Sequence, residues 1–442
     1  MSNEEANSSH HAINIQESSE VKTEPFENLY DRIQKAKDDY KFAPIYVVPT
    51  RLREVSPSSF TPRVVSIGPL HKGYKSLKSL ENKKVTILTQ LLHKTGSPKE
   101  TFQACMQKMM DSIKRIKGYY FAIDFKHSDL NLALMMLTDG CFILEFINSL
   151  SSEDENEFSK NRLRSRNIAL DLVMLENQIP YFVLLDIYNY LTVDKNLKRP
   201  ALHIMLKELL DLIHPFEEPL EDDDENVRDT ISTHHFHILD LLHKFYQPIN
   251  FELPAIKTPP TAHSAVELIK VGVKIMPDKD SDWPMAMKFE YSKSSRNANT
   301  LRMPVVRIDN FFEVVLRNLI AYEQYSPVEN YVTSYAMAMD MLVATPADIA
   351  KLGKSGVIIS HLGSNEKAAD MISSICKNVN LQDFYYMEPW KNIAQYHNKH
   401  WPRQFRVFKR TYIEAPFKAV ALIAAVTVFL ITVYQFFRVT LH

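Results

Sequence analysis

Nineteen consecutive residues without a charge, Ala419 to Phe437 (AVALIAAVTVFLITVYQFF), lie between Lys418 and Arg438. As a helix rising ~1.5 Å per residue the run covers about 28 Å, close to the ~30 Å hydrocarbon thickness of a bilayer. A chain with such a segment must bury it in a core or place it in lipid. Core helices seldom run this long uncharged, which favours a transmembrane helix over 419–437. Arg403, Arg406, Lys409, Arg410 and Lys418 precede it against the single Glu414, and only Arg438 follows. The excess of basic residues on the N-terminal side predicts a cytoplasmic bulk, a basic juxtamembrane segment at 411–418 and a short far-side tail at 438–442. The plasma membrane is favoured ahead of an endomembrane. Ala421 and Ala425 form a small-xxx-small pair that would suit a homo-oligomer.

A second apolar stretch, DLNLALMMLTDGCFILEFINSL at 129–150, carries Asp139 and Glu145. Each central acid costs about 2.5–3.5 kcal/mol on insertion, so this segment is expected as a buried helix of the body. Only 9 of 442 residues are glycine, against a usual share of roughly 7%. That scarcity favours helices over glycine-rich cofactor loops. Lys+Arg of 52 against Asp+Glu of 53 gives no global pull on nucleic acid. Cys105, Cys141 and Cys376 are too scattered for a disulfide framework or a CxxC metal pair. No hydrophobic core follows a basic start at the N-terminus, so no secretory signal is read there.

Residues 1–41 are expected to be a disordered acidic tail, since 1–27 hold six Glu and one Lys with few large apolar groups. Helical spacing begins at Tyr30, and the body is taken as 42–410. Ile45–Val48 and Val64–Ile67 read as short strands between prolines, and 77–92 (LKSLENKKVTILTQLL) as a helix. Helix starts are signalled at Ser97-Pro98-Lys99-Glu100 and Thr345-Pro346-Ala347-Asp348. Ile168, Leu172, Leu175 and Ile179 fall on one helical face, with Pro180 ending or restarting the helix. Ala368, Ile372, Ile375 and Val379 do the same. An acidic loop spans 217–229, and a helix is expected at HSAVELIK (263–270), stopped at Gly272. Strands are expected at VKIM (273–276), Met287–Tyr291 and Pro304–Ile308, with Asp309 capping a helix through Gln324.

The candidate chemistry is thin. SIGPLHKGYKSL approaches a phosphate-binding loop, but Tyr74 separates Gly73 from Lys75 and turns the Lys and Ser by about 100° on the helix. A structural turn at Gly68-Pro69 is the better reading. THHFHILDLLH gathers His234, His235, His237, Asp240 and His243 without the i, i+4 His pair of a zinc helix, so an exposed or half-buried helix is expected and no metal. Asp139, Glu145, Asp171 and Glu176 sit in apolar segments, where burial can raise a carboxyl's pKa for acid–base work. Bonding to helix ends and to backbone beside the Asn177-Gln178-Ile179-Pro180 break is the favoured alternative. Neither a G-x-S-x-G elbow, an H-E-x-x-H pair nor a dinucleotide fingerprint occurs. No cofactor is expected.

VPTRLREVSPSSFTPRVVSIGPLHKG (48–73), LENKKV (80–85), DGCFILEFI (139–147), DLVMLENQIPYFVLLDIY (171–188), SAVELIKVGVKI (264–275) and RNLIAYEQ (317–324) occur in order before the apolar helix. This set resembles the plant family called domain of unknown function 247. The resemblance implies a mainly α-helical body with a small sheet of short strands, a C-terminal anchor, and no established activity or cofactor. Some grass members are associated with pollen–stigma self-incompatibility, which suggests recognition. Leu70, where the family often has an aromatic residue, is a departure. The expected function is a non-catalytic, membrane-anchored protein whose helical domain binds another protein. The alternative is a hydrolase-like membrane-surface enzyme using the buried carboxylates. The structural motif residues are Gly68, Pro69, His71, Gly73, Asp139, Gly140, Glu176, Asn177, Gln178 and Pro180.

Overall fold

The apolar residues of 77–92 recur at helical spacing, and they form helix α1 (Lys78–His93) with Leu80, Ile87, Leu88 and Leu92 buried. The computed structural model describes residues 42–121, 128–151, 157–191, 201–217, 235–248, 259–281, 283–292, 298–398 and 423–433, with Ile123, Phe125, Phe251 and Val420 besides. The expected acidic tail at 1–41, the helical spacing from Tyr30 and the acidic loop beyond Glu217 lie outside these residues. The chain divides into Met1–Phe42 and Ala43–His442, and the architecture below belongs to the second unit.

Helix α2 (Pro98–Asp111) begins at the Ser97-Pro98 signal, with Pro98 in the first turn where a missing N–H leaves no bond unmade. Helix α3 (Asp129–Ser151) is the second apolar stretch, buried nearly all round. It packs against α1, α2, α5 (Tyr181–Leu191) and α6 (Leu202–Ile213), while α4 (Arg162–Asp171) lies on α6. By length and composition α3 could cross a membrane, but 78% of its apolar window is buried in the body. Gly140 lets α5 approach closely, since a Cβ there would meet Ile187 Cδ1 at 2.4 Å.

The second half begins with α7 (Ile238–Phe245) and α8 (Ala265–Lys270), the latter capped by Ser264 and Glu267 in a reciprocal box. Strands β1 (Lys274–Pro277), β2 (Lys288–Glu290) and β3 (Thr300–Met303) form one sheet in the order β1-β3-β2. Leu301 of β3 pairs with Ile275 in parallel and with Phe289 in antiparallel register. A separate parallel pair joins β4 (Val306–Ile308) to β5 (Ile358–Ser360). Asp309 caps α9 (Asn310–Tyr325), accepting from the N–H groups of Phe311 and Phe312 at 2.9 Å each. Helices α10 (Tyr331–Leu342), α11 (Pro346–Lys354), α12 (Asn365–Ile375) and α13 (Met387–Asn398) complete the body. Asp348 reaches back to the Thr345 N–H and hydroxyl at 2.8 Å each, as the Thr-Pro-Ala-Asp signal predicts.

Three expectations are corrected. Ile45–Val48 and Val64–Ile67 are not strands: Ile45 makes one isolated bridge to Tyr120, and the rest of both segments has no ladder. The helix through Ile168 stops at Asp171, and 172–180 is a chain of turns, because Asn177 and Gln178 bind its carbonyls with their amides. The helix of the histidine stretch is buried from Ile238 through His243 rather than exposed or half-buried, enclosed by Tyr322 and Tyr331 of α9 and α10.

In the C-terminal apolar stretch the described helix is Ile423–Val433, about 16 Å long and short of a bilayer crossing. Every residue from Ile423 to Thr432 is exposed, Phe429 by 66%. The remainder of 419–437, apart from Val420, lies outside the described residues.

Candidate functional site

A buried segment without a neighbouring strand must find other partners for its backbone N–H groups. The arm 44–68 finds them in side chains from the turns at 171–178. Asp171 accepts from Arg63 N–H (3.0 and 3.1 Å), Val64 N–H (2.7 Å) and Val65 N–H (2.9 Å). Asn177 Oδ1 accepts from Ile67 N–H at 2.7 Å, while its Nδ2 donates to the carbonyls of Val65 and Asp171. Glu176 Oε1 accepts from Val48 N–H at 2.6 Å and from the Arg53 guanidinium. Gln178 donates to the carbonyls of Leu172 and Met174 and accepts from Ile238 N–H at 3.1 Å. Asn318 of α9 adds a strut, accepting from Leu175 N–H and donating to Ser59 O.

The arm ends in the Gly68-Pro69 turn. Gly68 has φ +71°, and a Cβ there would lie 2.5 Å from the Gln178 carbonyl oxygen, so no other residue fits. Its N–H donates to Asp139 Oδ2 at 2.9 Å. The other carboxylate oxygen of Asp139 accepts from Lys84 Nζ at 2.7 Å, and Lys84 also donates to Glu81 Oε1 at 2.7 Å and to the Ser66 carbonyl. Lys84 and Asp139 are both fully buried. Burial works against the Lys84 ammonium, but Asp139 and Glu81 outweigh it and hold its pKa above the usual lysine value. Burial draws the Asp139 carboxyl the other way, toward the neutral acid. The ammonium form of Lys84, which Asp139 and Glu81 favour, has a proton for each of the three oxygens around Nζ.

Each sequence-derived acid has a place in this frame. Burial pushes the Asp171 carboxyl up to about 6, against the pull of the N–H groups it binds. Burial also opposes the Glu176 charge, but His71, Arg53 and the Val48 N–H more than offset it and keep its carboxyl below the usual range. His71 Nε2 lies 3.2 Å from Glu176 Oε2, within ion-pair reach but off hydrogen-bond alignment. Glu145 is partly exposed, 3.9 Å from Lys94 Nζ. In these bonds no donor is shared between two of the four acids. Gly73 takes φ +90° in the turn and Lys75 is exposed. Pro180 restarts the chain ahead of α5.

Within the histidine stretch, each described ring is engaged by the fold. His237 caps α7, its Nδ1 accepting from Asp240 N–H at 3.0 Å and its Nε2 lying 3.1 Å from the Pro44 carbonyl. His243 bonds Glu323 at 2.9 Å and Tyr331 at 2.8 Å, and His235 packs on Tyr181. His234 lies outside the described residues. His263, Glu267 and His397 lie together elsewhere, a grouping the sequence reading did not single out. Lys84 was also passed over, although its place between Leu80, Ile87 and Leu88 puts it on the buried face of α1.

The bonds at His237 define a neutral ring, with Nε2–H donating and Nδ1 accepting. Burial pulls its pKa down from 6.5 to about 4. The unfolded chain therefore binds the extra proton first as pH falls. Stability from this group is complete above about 6.5 and lost progressively toward 4, up to roughly 3 kcal/mol at ~1.36 kcal/mol per pH unit. His237→Asn keeps a good helix cap and flattens the pH 4–6.5 limb of a denaturation-midpoint profile; an unchanged limb would assign it to other groups.

A family model described as plant protein of unknown function, domain of unknown function 247, matches residues 45–431. The UPF0481 protein At3g47200 of Arabidopsis thaliana is 27% identical over 421 residues, covering 88% of this chain and 85% of its own length. The Arabidopsis thaliana UPF0481 protein At3g02645 is 25% identical over 484 residues, covering 89% of each chain. No solved structure matches.

Proposed function

We propose that this chain, which belongs to the plant family domain of unknown function 247, is a membrane-anchored, non-catalytic protein whose helical body binds a protein partner. The observation that carries the anchor is the apolar helix Ile423–Val433, whose residues through Thr432 face solvent. A core helix would have spent that surface on burial; left exposed in water, it marks an interaction face. The uncharged sequence from Ala419 to Phe437 and the basic residues ahead of it support lipid as the occupant and a cytoplasmic body, with the plasma membrane as the favoured site. Ala421 and Ala425 leave room for a homo-oligomer in the membrane.

The body supports recognition better than catalysis. Asp139, Asp171 and Glu176 are buried and engaged by backbone and cationic donors, so none is free to meet a substrate. The recognition role itself rests on the family resemblance. Fractionation of plant cells tests the anchor: the full chain stays in the membrane pellet through an alkaline wash, and a chain ending before Ala419 is released. Full-length protein in the soluble fraction without detergent overturns the reading.

A further inference from the structure

His263 precedes the Ser264 cap of α8, and Glu267 lies one turn later, its Oε2 3.6 Å from His263 Nδ1. His397, near the end of α13, brings its ring against that of His263, with centroids 3.7 Å apart and planes 27° from parallel. Ligand atoms of the three side chains all lie within 4.8 Å of one another. His263 Nε2 and His397 Nδ1 are buried and have no hydrogen-bond partner among the described residues. Buried polar atoms in native folds are almost always paired, and two orphaned nitrogens at one place call for a ligand.

We infer that His263, Glu267 and His397 bind one divalent transition-metal ion, with zinc as the best-matched ion and water in the fourth position. Two imidazoles and a carboxylate are a recurrent zinc donor set, and binding turns the stacked rings out of parallel so that one nitrogen of each meets the ion at ~2.0–2.2 Å. The ion ties α8 to α13, the last described helix before the basic segment, so it fixes the end of the body from which the apolar stretch departs.

The test uses the full chain in detergent, stripped of metal and titrated with Zn2+ by calorimetry, with Co2+ absorption reporting tetrahedral geometry. One equivalent binds tightly and raises the melting temperature. His263→Gln, His397→Gln and Glu267→Gln each weaken that equivalent by about tenfold or more and remove the Co2+ signal. Glu267→Gln retains the capping box, so it decides the matter even if His263→Gln fails to fold. The chain holds 16 histidines; Zn2+ binding that all three variants leave unchanged, or no saturable equivalent at all, overturns the inference and leaves a stacked neutral histidine pair.

Discussion

Replacing Lys84 with methionine destabilises the body by about 3–5 kcal/mol, read as a shift in denaturant midpoint. Methionine fills much of the same space, so the loss is electrostatic rather than a cavity. The ammonium sits fully buried against Asp139 Oδ1, Glu81 Oε1 and the Ser66 carbonyl. Without it, the Asp139 carboxylate keeps the Gly68 N–H but loses its only described cationic partner in contact. An unpaired buried charge costs several kcal/mol, whereas a neutral pair of similar volume often costs little. Adding Asp139→Asn to Lys84→Met therefore restores a large share of the loss, because the amide oxygen still accepts from Gly68. If the double variant is no more stable than Lys84→Met alone, the two residues do not act as a pair.

What could be read from the sequence was whatever periodicity encodes. Apolar spacing gave α1 and α12, acids inside an apolar run kept α3 in the body, and side chains of the Asp309 type marked helix starts. Periodicity says nothing about where backbone bonds go. Val64–Ile67 has the β-branched look of a strand, yet its N–H groups end on Asp171 and Asn177 rather than on a neighbouring chain. The apolar face through Ile168 and Ile179 looks helical, but Asn177 and Gln178 draw the carbonyls of 171–174 into turns. Strands β3 and β5 were missed although β1, β2 and β4, equally short, were read. Lys84 carried a usable signal, a cation on an apolar helix face in a chain whose apolar stretch 129–150 holds the acids Asp139 and Glu145. The grouping of His263 with His397 carried none, since 134 positions of chain separate them and only tertiary packing joins α8 to α13.

Asp171→Ala is expected to cost about 2–5 kcal/mol. The carboxylate accepts the N–H groups of Arg63, Val64 and Val65, and none of these has another strand to turn to. The Val65 bond is buried and those of Arg63 and Val64 partly so; a buried donor left unmade costs about 1–3 kcal/mol, a partly buried one less, and alanine offers no acceptor. Asp171→Asn falls between, because one amide oxygen can still serve Val64 and Val65 while the new NH2 group turns a donor toward Arg63. Hydrogen exchange separates this role from a catalytic one. In Asp171→Ala the amides of 63–65 lose protection ahead of the rest of the body, and in Asp171→Asn they lose less. A variant that keeps both its midpoint and its protection at 63–65 would mean that Asp171 does not hold the arm, and the case against its availability for chemistry would fall with it.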